Sequence, residues 1–316
     1  MVALYERAFD LPSPFLKMIL RDSTLTIEMA ESIGCRVSSI REIVGRGEVN
    51  HGFVVDTSHG LWVVRFAIDP RDLDDYAKEA WCLQSAGVPT PELIAVGNLR
   101  GVPFIVQSFV DGATGDDRRS PDLWRALGRY SRLINDVPID QTAPDSLFSR
   151  FGRDPAANWR AHIAYNLEVL TPDDPLIRLG VYEPSRQGRL RDAFERLEGK
   201  VDRFGLTHGD LVPKNVLVPE GRAPVVIDWG SASTGPVPYH DFLRMWADEA
   251  DEGFLPDDLA HFAEGYGIPF ETIRATMEDI GFLNRIDLVR WAIDRRPDRL
   301  DEVAAKAKRA IAERFG

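Results

Sequence analysis

The stretch Leu206-Thr207-His208-Gly209-Asp210-Leu211-Val212-Pro213-Lys214-Asn215-Val216-Leu217-Val218, followed after a Gly221 turn by Val225-Val226-Ile227-Asp228-Trp229-Gly230, is a short β-rich island in a half-chain that otherwise reads as helix. Two apolar runs of three residues about a glycine turn predict a hairpin. Asp210, Asn215 and Asp228 each stand where a run meets its loop, so the hairpin is expected to bring the three together. Three oxygen donors without a thiolate suit Mg²⁺, which keeps several waters and takes one or two carboxylates plus substrate phosphates. Asn215 and Asp228 are therefore the candidate metal ligands. Asp210 is left to orient a hydroxyl and accept its proton.

Working outward toward the N-terminus, residues 37–110 carry the β-rich runs SSIREIV, HGFVVDT, LWVVRFAI, LIAVGN and PFIVQSFV, separated by Gly, Asp and Pro turns. One helix interrupts them, Leu73 to Ala86, with Asp residues near 72 at its start and Gly87 and Pro89 at its end. The order β-β-β-α-β-β predicts a small antiparallel sheet with a single helix. After Asp111-Gly112 helical periodicity dominates, in Leu123–Ile134, Leu190–Leu197, Asp241–Trp246, Leu259–Tyr266, Ile273–Asp294 and Leu300–Phe315. The expected organisation is a helical N-terminal extension over 1–30, a sheet lobe over 31–110, and a larger helical lobe over 111–316 that contains the island and an acceptor pocket.

Composition narrows the classes. The 316 residues hold 38 Lys+Arg against 50 Asp+Glu, a net charge of −12, which repels a polyanion such as nucleic acid and favours cationic small partners. No run reaches the length of a membrane span, and Glu6, Arg7 and Asp10 break the apolar stretch a signal peptide needs, so a soluble cytoplasmic protein, monomer or homodimer, is expected. Two cysteines, Cys35 and Cys82, support neither a disulfide framework nor a thiolate zinc site. A GxSxG elbow, an HExxH helix and a GxxxxGK[ST] loop are all lacking, which argues against serine hydrolases, zincins and P-loop enzymes.

In motif and order the island resembles the aminoglycoside phosphotransferases and their choline-kinase-like relatives. His208-Gly209-Asp210 through Asn215 is similar to the family's HGDxxxxN loop, and Ile227-Asp228-Trp229-Gly230 to its IDW metal motif. The resemblance implies an α+β, protein-kinase-like bilobal fold, with a small antiparallel sheet lobe bearing one helix and a larger, mainly helical lobe. It implies Asp210 as catalytic base, Asn215 and Asp228 as Mg²⁺ ligands, His208 as a structural residue beneath the loop, and Asp241, after Gly235-Pro236, as its brace. In the sheet lobe Gly45-Arg46-Gly47-Glu48-Val49-Asn50-His51-Gly52 resembles the family's nucleotide loop, with Gly47 and Asn50 as candidate contacts. Arg65 stands where protein kinases carry lysine, as in many antibiotic kinases, and is expected to pair with Glu79 on the helix. The hinge falls at Ser108 and Val110, whose backbone carbonyl and amide would meet the base. Backbone contacts of that kind leave both ATP and GTP as donors.

Outside these motifs the resemblance fades. Asp248 and Glu249, with Asp251 and Glu252, form an acidic cluster after the Asp241 helix, and Asp287 and Asp294 flank Trp291 in IDLVRWAIDRR; these are the candidates for holding the ammonium groups of a cationic acceptor. Trp159 is either an anchor or core. Leu123–Pro138 carries Ile134-Asn135 where relatives have a structural histidine. The expected activity is transfer of the ATP γ-phosphoryl group to a hydroxyl of a small cationic molecule, an aminoglycoside or aminocyclitol antibiotic first. Choline, homoserine, a thio-sugar or a macrolide are alternative acceptors, and a catalytically inactive nucleotide-binding regulatory module is the alternative outside enzymes.

Overall fold

The computed structural model describes residues 23–43, 50–67, 73–247 and 254–315. In chain order the elements are α1 (Ser23–Ser32), β1 (Val37–Glu42), β2 (Asn50–Thr57), β3 (Gly60–Ala67), α2 (Leu73–Ser85), β4 (Leu93–Leu99), β5 (Val102–Ser108), β6 (Ala113–Thr114), α3 (Pro121–Asn135), α4 (Pro155–Glu168), α5 (Pro175–Arg178), α6 (Gln187–Glu198), β7 (Phe204–Thr207), β8 (Val216–Val218), β9 (Val225–Val226), β10 (Ser233–Pro236), α7 (Tyr239–Ala247), α8 (Pro256–Tyr266), α9 (Phe270–Arg295) and α10 (Leu300–Phe315). The expected β-β-β-α-β-β order holds. No helix among the described residues is long and apolar enough to cross a membrane.

Packing divides the chain into two units. The first gathers the described residues of Met1–Leu123 with Val137–Leu147 and Asp210–Ala232; the second gathers Trp124–Asp136, Phe148–Gly209 and Ser233–Gly316. A division drawn along the chain at residue 110 runs differently, because β6 pairs with β8 and β8 with β9 in a separate three-stranded sheet that places the island from Asp210 onward in the first unit.

In the first unit five antiparallel strands run in the order β1-β2-β3-β5-β4. Alternation along each strand sends Phe53, Val55, Trp62, Val64, Phe66, Phe104 and Val106 to one face, where they form a core with Leu25, Met29 and Ala30 of α1. Residues 23–30 thus belong to the sheet's own core rather than to a separate extension, and residues 1–22 lie outside the described residues. α2 packs on β4 and β5. Its first turn holds Asp74 and Asp75, which favour the positive end of the helix dipole, and it stops ahead of Gly87 at φ 66°.

The second unit is helical around Trp159, Ile163, Phe194, Leu197, Phe282, Leu283, Ile286, Val289 and Ile311. Trp159 is core. Its helix α4 escapes periodicity analysis because part of its inner face is polar: Asn158 and Asn166 are both buried. Asn166 accepts from Arg290 at 2.8 Å, and Arg290 also pairs with Asp174 at 2.6 Å, to which Tyr182 donates at 2.7 Å. A buried charge held this way needs each of its partners, so α4, α9 and the α5 start are locked together.

Candidate active site

Asp210 enters a tight 3₁₀ turn over Pro213–Asn215 that closes the loop between β7 and β8. The Val212 amide donates to the Asp210 carbonyl at 3.0 Å, and the Asn215 amide to the Val212 carbonyl at 3.0 Å. The turn folds the Asn215 side chain back: its Nδ2 donates to the Asp210 carbonyl at 2.9 Å and to Asp210 Oδ2 at 2.8 Å. Lys214 Nζ lies 3.6 Å from the same Oδ2, a contact the motif does not predict. Gly115 makes the turn's position possible, since a Cβ there would sit 2.5 Å from the Pro213 carbonyl oxygen.

Asp228 is held beside this turn by the hairpin. Val216 pairs with Val226, and the Ile227 amide donates to the Asn215 carbonyl at 3.0 Å. At φ 62° and ψ 66° Asp228 occupies the left-handed region, which Asp tolerates better than most residues, and its side chain is exposed while Trp229 beyond it is fully buried. The Val226 amide also donates to the Pro89 carbonyl at 2.8 Å, which ties the hairpin to the segment between α2 and β4.

The donor set fits a hard cation. Asn215 spends its nitrogen on Asp210, so Oδ1 is the atom it has to offer a metal, and Asp228 contributes an exposed carboxylate. One carboxylate and one amide oxygen would suit magnesium, which ordinarily takes its remaining ligands from water and phosphate. Among the described residues no cluster of three or more His, Cys, Asp or Glu side chains suits a metal.

Arg65 on β3 and Glu79 on α2 form an ion pair, with Glu79 almost wholly buried. The guanidinium carbon lies 5.8 Å from the centre of the Tyr76 ring. Burial works to lower the Arg65 pKa, but Glu79, Tyr76 and Asp228 outweigh it and raise the value above the ordinary one. Asp228 is therefore electrostatically coupled to Arg65. A residue not anticipated from sequence joins this group: Gln107 on β5 is buried and donates from Nε2 to Glu79 Oε1 at 2.8 Å. Ser108 ends β5, its amide donating to the Glu92 carbonyl at 2.9 Å, with Val110 two residues beyond. Gly47 and the Asn50 side chain lie outside the described residues.

In the helical unit His208 is fully buried, and Asp241 Oδ1 accepts from the Gly209 amide at 3.0 Å while its Oδ2 accepts from Ser131 at 2.8 Å. Asp241 thus grips the residue that precedes Asp210. Burial raises its pKa, offset in part by His208, Ser131 and the Gly209 and His208 amides. Asn135 donates to the Leu206 carbonyl at 2.8 Å and accepts from Tyr266 at 2.9 Å. It anchors β7 ahead of the turn that carries Asp210 and Asn215.

Among the acceptor candidates, Asp248 and Glu249 lie outside the described residues. Asp287 is not a free carboxylate: Arg150 lies 3.3 Å from one oxygen and His162 3.4 Å from the other. Burial works to raise its pKa, yet His162, Arg150 and Asn166 hold it below the usual carboxylate range. Trp291 is 38% exposed and Asp294 is exposed, both on α9.

Residues 41–279, well over half of the chain, match the model of the phosphotransferase enzyme family APH. Among solved structures, the spectinomycin phosphotransferase APH(9)-Ia with ADP and spectinomycin is similar at 17% identity and TM-score 0.55, over 92% of this chain and 94% of that one. The GDP and kanamycin complex of an APH(2″) enzyme is similar at 18% identity and TM-score 0.62, over 92% and 98%. The macrolide 2'-phosphotransferase MphH from Brachybacterium faecium is similar at 20% identity and TM-score 0.60, over 91% and 97%. No curated protein sequence matches the chain. With its antiparallel sheet, its helical C-terminal part and this family match, the chain belongs to the APH phosphotransferase enzyme family and has the kinase-like fold of these structures.

Proposed function

We propose that the enzyme transfers the γ-phosphoryl group of ATP to a hydroxyl of a small cationic molecule, an aminoglycoside or aminocyclitol first. The observation that carries the reading is the Asn215 side chain, bonded through nitrogen to Asp210 and adjoining Asp228 through the backbone. Asp210 is the base: it orients the acceptor hydroxyl and takes its proton as the oxygen attacks in line. Asn215 and Asp228 would hold Mg²⁺, which would supply positive charge to offset that of the phosphates. Arg65, fixed by Glu79 and Tyr76, holds the phosphates, and Gly47 and Asn50 are the further candidate contacts. The carbonyl of Ser108 and the amide of Val110 hold the base, with GTP as the alternative donor. Asp241 and His208 fix Gly209, which precedes the base.

Acceptor recognition is assigned to the helical unit, through Asp248, Glu249, Trp291 and Asp294, while Asp287 serves by orienting Arg150 and His162. The spectinomycin, kanamycin and hygromycin B complexes of similar structures support a cationic acceptor, and the similar macrolide phosphotransferase supports a macrolide as the second choice. The test is ADP release with Mg-ATP and Mg-GTP across aminoglycosides, spectinomycin, macrolides, choline, homoserine and a thio-ribose, with Asp210→Ala as control. Turnover on one acceptor that falls at least about a hundredfold in the control supports the assignment. Full turnover in the control would overturn it.

A further inference from the structure

Glu79 Oε1 receives two donors of different kinds. One is the Arg65 guanidinium, the other Gln107 Nε2 at 2.8 Å, and both Glu79 and Gln107 are buried. The β3–β5 register pairs Arg65 with Ile105 and Val63 with Gln107, so Arg65 and Gln107 share the sheet face opposite the Phe66 and Val106 core, two positions apart. Gln107 also immediately precedes Ser108. One buried amide therefore connects the strand that leads to the hinge with the carboxylate that holds the phosphate-binding arginine.

From this geometry we infer that Gln107 is a positioning residue for nucleotide binding, which keeps the Glu79 carboxylate in place so that Arg65 is aimed at the β- and γ-phosphates. The inference rests on the reading of Arg65 as the phosphate-holding residue. The physical reason lies in the difference between the two donors. When phosphates arrive, the guanidinium divides its forked donors between them and Glu79, weakening its hold on the carboxylate. The Gln107 amide is neutral, is not drawn to the phosphates, and remains as the partner of a carboxylate that cannot be left unpaired in the interior. An apolar side chain of the same length fills the space equally well but removes one of the two donors and leaves the Arg65 guanidinium to hold that oxygen.

The consequence is specific to the phosphates. Isothermal titration with Mg-ATP and with adenosine separates the affinity contributed by the phosphates from that contributed by the base and ribose. Gln107→Met is expected to lose about tenfold in affinity for Mg-ATP, the order expected for one buried bond to a charged group, and to bind adenosine as the parent does. Gln107→Asn, which keeps the amide but is too short to reach Glu79, is expected to behave the same way and serves if the methionine variant does not fold. Arg65→Met is expected to show a larger loss of the same form. An equal loss for both ligands in the Gln107 variants, or no loss, while Arg65→Met loses the phosphate increment, would overturn the role of Gln107. If Arg65→Met kept the full increment, the assignment of Arg65 itself would be wrong, a failure distinct from the first.

Discussion

Asn215 points its side-chain nitrogen at Asp210, donating to the backbone carbonyl at 2.9 Å and to Oδ2 at 2.8 Å. The candidate base and the candidate metal ligand are thus one mechanical unit, and the 3₁₀ turn between them sets the carboxylate's rotamer. Asn215→Ala removes both bonds and the amide oxygen at once. Turnover should fall by about a hundredfold, and the magnesium concentration for half-maximal rate should rise. A magnesium titration of the steady-state rate checks this; an unchanged midpoint would separate Asn215 from the metal.

The Arg65–Glu79 pair predicts a stability effect in the absence of any ligand. Glu79→Ala leaves the largely buried guanidinium, and the Gln107 amide, without their carboxylate. Removing one partner of a buried pair should cost about 3 kcal/mol, read as a lower denaturant midpoint at unchanged slope.

Gly115 is needed for space. A methyl group there meets the Pro213 carbonyl oxygen at 2.5 Å; the oxygen belongs to backbone and the methyl carbon is fixed in place by its own Cα, so neither can rotate aside. Gly115→Ala should cost about 1 to 3 kcal/mol and displace the turn that carries Asn215. Reduced kcat with near-parental adenosine binding is the expected pattern, measured by steady-state assay and titration.

His240, next to Asp241 and against Gly235, predicts acid lability. Burial, with a smaller contribution from His162, lowers its pKa from 6.5 to about 4. Its folded form favours the neutral ring, so the full contribution is present above about pH 6.5. As pH falls toward 4 the unfolded chain binds the proton first and up to about 3 kcal/mol is lost, with no further loss from this group below that. Melting temperatures across pH 4 to 7 should fall less steeply for His240→Asn than for the parent. Parallel slopes would assign the acid loss to other groups.

Short-range pattern in the sequence determines the β-β-β-α-β-β order, the hairpin of β8 and β9 and the long helices α9 and α10, because strand alternation, turn residues and helical periodicity are local properties. The order of Asp210, Asn215 and Asp228 about that hairpin is local as well, which is why their proximity is legible in the chain itself. Relationships that depend on partners distant in the chain are not legible in this way. Gln107 meets Glu79 across 28 residues and Asn135 meets Leu206 across 71. Asp287 reads as an available acidic group until Arg150, 137 residues away, is seen to pair with it. The polar inner face of α4 hides a helix whose Asn166 side-chain oxygen is met by Arg290, 124 residues on. A polar side chain reveals nothing of its burial until its partner is known. Which charges are free to act and which are already spent is therefore decided by tertiary structure alone, because a buried polar group is stable only when folding delivers its partner.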